Sequence, residues 1–122
     1  MRFTQDMAAG THVIRSYAAG ELRVGETLLR GGVILSATQL AAHPQVRTIE
    51  DWSAEHLEAI CAWRPAVVLL GTGRTQRFPD PGFGARFLRA GIGFEVMDTG
   101  AACRTFNVLV AEQREVVAAL VV

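Results

Sequence analysis

The stretch Pro65-Ala66-Val67-Val68-Leu69-Leu70-Gly71-Thr72-Gly73 decides how the rest of the chain is read. An uninterrupted apolar run from Ala66 to Leu70, closed at once by glycine, has the length of a strand rather than of a helix. A strand that is apolar at odd and even positions alike is buried on both faces. It therefore belongs in the middle of a sheet covered by helices. Val67 to Leu70 is expected at that centre, with Phe106 and Leu109 packed over it.

Outward from this strand, helices and strands alternate. Upstream, Asp51 or Ser53 offers a side-chain oxygen as an N-cap. Leu57, Ile60 and Cys61 follow at helical spacing, Glu55 and Glu58 sit early, where the helix dipole favours acids, and Pro65 marks the end. Downstream, Pro81 to Ala90 reads as a short helix with Phe83, Phe87 and Leu88 on one side, stopped by Gly91-Ile92-Gly93. Phe94 to Met97 is the next strand. Asp98 or Thr99 then caps a helix to about Ala111, whose buried face is Ala102, Phe106, Leu109 and Val110. Glu115 to Val122 is a closing strand. The order α-β-α-β-α-β from Ser53 onward predicts an α/β domain with a central, mostly parallel sheet.

The front of the chain reads as β. His12 to Tyr17 is a strand candidate, Glu21 to Glu26 alternates as a half-buried strand does, and Val33 to Ala37 follows a Gly31-Gly32 turn. These short elements predict edge strands or a small second sheet. One domain spanning residues 1–122 accounts for the length, with the first ~10 residues flexible.

Composition narrows the functional classes. The chain is 50% hydrophobic and 20% charged, which excludes disorder. Twelve basic residues balance twelve acidic ones, so no overall field draws in nucleic acid or an anionic membrane. All the basic residues are arginine, so no lysine is present for a Schiff base or a phosphate loop. The abundance of alanine and arginine is that of a GC-rich genome. No apolar run approaches the ~20 residues of a membrane span, and Met1 to Asp6 carries no apolar signal core. A bacterial cytoplasmic location is expected. Cys61 and Cys103 match no zinc spacing and are expected reduced and unpaired; His12, His43 and His56 are scattered. No metal or cofactor is implied.

Two segments could carry chemistry. Gly71-Thr72-Gly73-Arg74 follows the most buried strand, and ligands in open α/β sheets sit beyond the carboxyl ends of the strands. Glycines there let successive N–H groups form an anion nest. The run is neither a dinucleotide fingerprint nor a Walker loop, since Gln76 stands at the third glycine position and no Gly-Lys follows. Asp98-Thr99-Gly100 opens a helix and presents free N–H groups. Thr99, Cys103 and Asn107 run down one side of that helix, with Arg104 adjacent. A cysteine near a helix start beside an arginine is the setting that lowers a thiol pKa. Cys103, however, lies a turn inside the helix with no histidine close in sequence, and a small buried apolar role is the plainer reading. Arg74, Arg77, Arg86 and Arg89 read as a solvated face, His56 as exposed, and Trp52 or Trp63 as a core anchor.

Taken together, Val67 to Gly73, Gly91 to Thr99 and Ala101-Ala102-Cys103-Arg104-Thr105-Phe106-Asn107-Val108-Leu109 resemble, in content, order and spacing, a family of small uncharacterised domains. It includes many bacterial and archaeal proteins of unknown function and the third mitochondrial assembly factor for respiratory complex I. The resemblance runs from about Tyr17 to Leu120. It implies a three-layer α/β domain with a central mixed sheet, and no agreed catalytic residues. For the eukaryotic members it implies a non-catalytic assembly role alongside a partner assembly protein; this chain shows no mitochondrial presequence. The positions that carry over are Gly71, Thr72, Gly73, Asp98, Thr99, Cys103, Arg104 and Asn107.

Two functions are therefore open. One is a non-enzymatic interaction or assembly module with a protein partner, which an exposed apolar patch would favour. The other is a small-molecule or anion-binding domain, an enzyme included. It would use Gly71, Thr72, Gly73, Arg74, Thr99, Gly100, Cys103, Arg104 and Asn107, and a polar pocket at the strand ends would favour it. Neither names a ligand, a reaction or an oligomeric state.

Overall fold

A computed structural model describes residues 11–122. The flexibility expected of the first residues, and the Met1 to Asp6 stretch, lie outside them. β1 (Ile14–Ala18), β2 (Glu21–Val24) and β3 (Thr27–Leu29) form an antiparallel three-stranded sheet. β4 (Gly32–Ser36), β5 (Leu40–His43), β6 (Val67–Gly71), β7 (Gly93–Met97) and β8 (Val116–Val121) form a second sheet in the order β5-β4-β8-β6-β7. The α-helices are α1 (Ala54–Ala62), α2 (Pro81–Arg89) and α3 (Thr99–Ala111), and a 3-10 turn covers Ile49–Asp51.

The larger sheet is mixed, but the expectation of a mostly parallel one needs correction. β6 pairs parallel with β7 and β8, whereas β4 pairs antiparallel with β5 and β8. The connections explain the division. α2 and α3 are the crossovers that parallel neighbours require, while β4 and β5 are joined by a short turn that permits only antiparallel pairing. Two further boundaries differ from the reading above. Glu21 to Glu26 is not one strand, because Gly25, at φ 56°, turns the chain back into β3. β5 is not predicted, because Leu-Ala-Ala-His neither alternates nor favours strand; among the described residues it is an edge strand that pairs only with β4.

β6 is buried along its whole length, and its alternation divides the core. Val67 and Leu69 pack with Ala102, Phe106 and Val110 of α3, and with Ile14 and Leu22 of the small sheet; Leu109 is partly buried against them. Val68 and Leu70 pack on the other face with Ile60, Phe87 and Trp52. In α2 the buried side is Phe83 and Phe87, whose rings each lie 5.5 Å from Phe94. Leu88 was expected on the same side but is 64% exposed, because one residue further on is about 100° further round the helix.

His56 also departs from the reading as an exposed residue. It is half-buried, with its ring 5.2 Å from Trp52 and 4.5 Å from His43. The local cause is capping. Ser53 is the N-cap of α1, and His56 at the third helical position accepts the Ser53 N–H on Nδ1 at 2.9 Å.

Candidate functional site

β6 and β7 are parallel, so both end at one edge of the sheet, and α3 begins there. The glycine turn after β6 and the start of α3 consequently meet. Asp98 is the N-cap, its Oδ1 accepting the Ala101 N–H at 2.9 Å. Thr99 joins three elements. Its N–H donates to the Gly73 carbonyl at 2.9 Å, its Oγ1 accepts the Gly73 N–H at 2.8 Å, and its hydroxyl donates to the Val121 carbonyl at 2.7 Å. The Thr72 N–H donates to the Met97 carbonyl at 2.9 Å. Gly71 is glycine for want of space, since a Cβ would come within 2.9 Å of Leu120 and 3.0 Å of the Thr99 hydroxyl oxygen. The amides of Thr72, Gly73, Thr99 and Ala101 are thus all taken by protein acceptors.

The remaining residues of the site divide between inside and outside. Thr99, Gly100, Cys103 and Asn107 are buried, whereas Arg74 and Arg104 are exposed. Cys103 and Asn107 lie on the face of α3 that enters the core, away from the mouth formed by Gly73 and Thr99. For Cys103 the depressed pKa that a helix start and an arginine can produce is not found. Burial dominates and pushes the thiol up to about 12, with Arg104 opposing and Asp98 adding to the rise. Asn107 is consumed by the backbone of Ile14. Both cysteines are free, and among the described residues no cluster of histidine, cysteine and carboxylate side chains could hold a metal ion.

One residue at this edge escaped the sequence reading. Tyr17 on β1 is buried, and its hydroxyl has no hydrogen-bond partner among the described residues. Burial raises its pKa first of all, with Cys103 and Asp98 adding to the rise and Arg74 opposing it. The nearby Thr99 hydroxyl also opposes the rise, although its own short hydrogen bonds go to Gly73 and Val121. In the sequence Tyr17 stands out only as the last residue of the strand candidate His12 to Tyr17, with nothing to mark its hydroxyl.

Beyond Gly73 the chain runs to Asp80 without regular structure, yet it is tied down. The Thr72 hydroxyl donates to the Thr75 carbonyl at 2.7 Å and accepts the Arg77 N–H at 3.0 Å. Gln76 Nε2 donates to the Val96 carbonyl at 3.3 Å, and Arg77 pairs with Glu50 at 2.9 Å. The next residue, Phe78, is 81% exposed. An aromatic between Arg77 and Pro79 in a stretch with no periodicity was the available signal for it. Arg86 pairs with Glu58 at 3.6 Å, so the arginine cluster is partly neutralised by surface carboxylates.

A family profile described as a protein of unknown function, DUF498/DUF598, matches residues 14–121. The chain is 33% identical over 105 residues, 84% of each chain, to a "13 kDa major membrane protein" of Francisella tularensis subsp. holarctica (strain LVS). It is 40% identical over 79 residues to NADH dehydrogenase (ubiquinone) 1 alpha subcomplex assembly factor 3 of Xenopus tropicalis, spanning 62% of this chain and 43% of that protein. A crystal structure of a Bordetella parapertussis protein superposes with a TM-score of 0.82 at 34% identity, covering 93% of this chain and 97% of that one. Among the described residues, no helix is long and apolar enough to cross a membrane.

Proposed function

The chain belongs to the DUF498/DUF598 family of proteins of unknown function, and from that premise we propose that it is a non-enzymatic interaction module, an accessory or assembly-type protein that binds another protein through the loop from Gly73 to Asp80. The observation that carries this reading is Phe78, uncovered to 81% on a loop pinned from Thr72, Gln76 and Arg77. Solvent exposure of a large aromatic is unfavourable, and ordering a loop costs entropy. A loop that is ordered and still presents an aromatic has the form of an interface anchor, in which a rigid ring buries large area at small entropic cost. In the three-layer arrangement this reading takes, α3 and the small sheet cover one face of the larger sheet and α1 and α2 the other, which would give that loop a rigid base. The similarity to a complex I assembly factor supports protein partnership in general and names no partner for this chain.

The test is a photo-crosslinking residue at position 78 in the producing cell, with position 26 as the exposed control. A discrete heterologous adduct from position 78 alone supports the reading. No adduct above that of position 26 contradicts it.

A second reading, an anion or small-molecule site at Gly71, Thr72, Gly73, Arg74, Thr99, Gly100 and Arg104, has one observation in its favour. The buried, unpartnered hydroxyl of Tyr17 lies within electrostatic reach of Arg74 and Asp98. Against it stand the occupied amides of Thr72, Gly73, Thr99 and Ala101 and the carboxylate of Asp98 at the same edge.

A further inference from the structure

A cavity of about 470 Å³ opens at the opposite end of the sheet from Thr99, between the last residues of β4 and the first residues of β8. That size is typical of small-ligand sites. It lies at the amino ends of the parallel strands, where the strand-end rule for α/β sheets does not look.

The topology gives this end a definite polarity. Trp63 and Pro65, just past α1, and Val110 to Ala111 with Gln113 to Glu115, closing α3, all line the cavity. Two helices from opposite faces of the sheet therefore finish at one place, each bringing the negative end of its dipole. In α3 the amides of Gln113 and Arg114 turn back to the carbonyls of Val110 and Leu109. The carbonyls of Ala111 and Glu112 receive no backbone amide among the described residues. Glu115 is among the lining residues; it is exposed, and its carboxylate has no salt-bridge partner among the described residues. Arg114 stands on the same rim, and its charge cancels that of Glu115. What is left uncompensated is the pair of helix ends.

The other lining groups suit a cation with a hydrocarbon stem. Ala37, Pro65 and Val110 are apolar, Trp63 supplies an indole, and the side chain of Gln39 adds an amide oxygen. We propose that this cavity binds a small molecule carrying an alkylammonium group. The ammonium donates to the Glu115 carboxylate and the end of α3, and the stem lies on the apolar wall. This site is separate from the Phe78 loop, and neither proposal depends on the other.

The probe is n-hexylammonium chloride, titrated into the full 15N-labelled chain and followed by amide and indole shifts. n-Hexanol carries the same stem without charge, and hexanoate carries the opposite charge. Saturable shifts at Gln39, Gln113, Arg114, Glu115 and the Trp63 indole are expected with hexylammonium alone. Glu115→Gln and Trp63→Leu should each weaken binding about fivefold, the scale of one exposed charge contact or one cation–aromatic contact. Glu115 is exposed, so Glu115→Gln remains decisive even if Trp63→Leu fails to fold. Unsaturated shifts with hexylammonium, equal binding of hexanol or hexanoate, or an unchanged affinity in Glu115→Gln would each overturn the proposal. Nα-acetyl-lysine methylamide is the last arm. Tighter binding of it than of hexylammonium would assign the site to a lysine side chain of another protein and overturn the small-molecule claim.

Discussion

Asn107 on α3 binds both backbone groups of Ile14 on β1: Oδ1 accepts the Ile14 N–H at 3.0 Å, and Nδ2 donates to the Ile14 carbonyl at 2.9 Å. A side-chain amide stands here where a neighbouring strand would otherwise pair, beside the point at which the β1–β2 register shifts between Ile14 and Ser16. Both bonds are buried, so they hold the small sheet against α3 and fix the amide orientation. Asn107→Ala should lower the unfolding free energy by about 2–4 kcal/mol, because it leaves two buried backbone groups unpaired. Asn107→Asp should also destabilise, since a carboxylate cannot donate to the Ile14 carbonyl. Urea unfolding measures both, and a loss of only a few tenths would return Asn107 to the list of ligand contacts.

Thr99 is the joint between the turn after β6, the end of β8 and the start of α3. Thr99→Val keeps the shape and removes both hydroxyl bonds, so a loss of about 1–3 kcal/mol is expected. Thr99→Ser, which keeps the hydroxyl, should retain most of the stability. Equal losses in the two variants would mean that packing of the methyl group, and not the hydroxyl, matters at this position.

Cys103 sets a direction for alkaline stability. Its thiol, ordinarily at 9.0, is pushed up to about 12 by burial in the native state. Above pH 9 the unfolded chain releases this proton while the native chain keeps it, so the native state binds more protons and stability falls as pH rises. The contribution is complete below pH 9 and is lost towards about 12. The raised pKa of Tyr17 acts in the same direction above 10. Chemical unfolding between pH 8 and pH 11 should show a declining stability whose slope is shallower in Cys103→Ala. In the native protein a thiol reagent should modify Cys61 well before Cys103, and fast modification of Cys103 would contradict its burial.

Arg64 and Gln113 follow α1 and α3 with φ of 55° and 60°, the left-handed region that glycine adopts without cost. Arg64→Gly should therefore raise stability by about 0.5–1 kcal/mol, the strain relieved less the added freedom of the unfolded chain. Thermal unfolding detects the gain. A loss would show that the Arg64 side chain contributes more than its backbone costs.

These residues also show what was legible in the chain. The central strand is legible in its unbroken apolar run, and the helix starts in the capping candidates Asp51 or Ser53 and Asp98 or Thr99, of which Ser53 and Asp98 are the caps, because burial on two faces and N-capping are local signals. The direction in which β4 joins the sheet is a tertiary fact with no local mark, and Leu40 to His43 carries no strand pattern at all. Gly73 meets Thr99 because both segments trail parallel strands and so leave the sheet at one edge. That their amides would be spent on each other was not readable, because the hydroxyl of Thr99 serves equally to bind a ligand or to tie a loop. Cys103 and Asn107 share a helix face with Thr99, and periodicity alone cannot say whether a face looks at a mouth or into a core.

The Gly71 to Gly73 turn and the start of α3 close on one another, and we propose that they root a presenting loop rather than receive a ligand. Titrating inorganic phosphate into the 15N-labelled chain tests this most directly, with the amides of Thr72, Gly73 and Gly100 observed in the wild type, Arg74→Ala and Arg104→Ala. A closed joint predicts small, non-saturating shifts at these amides, alike in all three proteins. Saturable shifts at Thr72, Gly73 and Gly100 that weaken in Arg74→Ala or Arg104→Ala would contradict it and establish an anion site at the sheet edge.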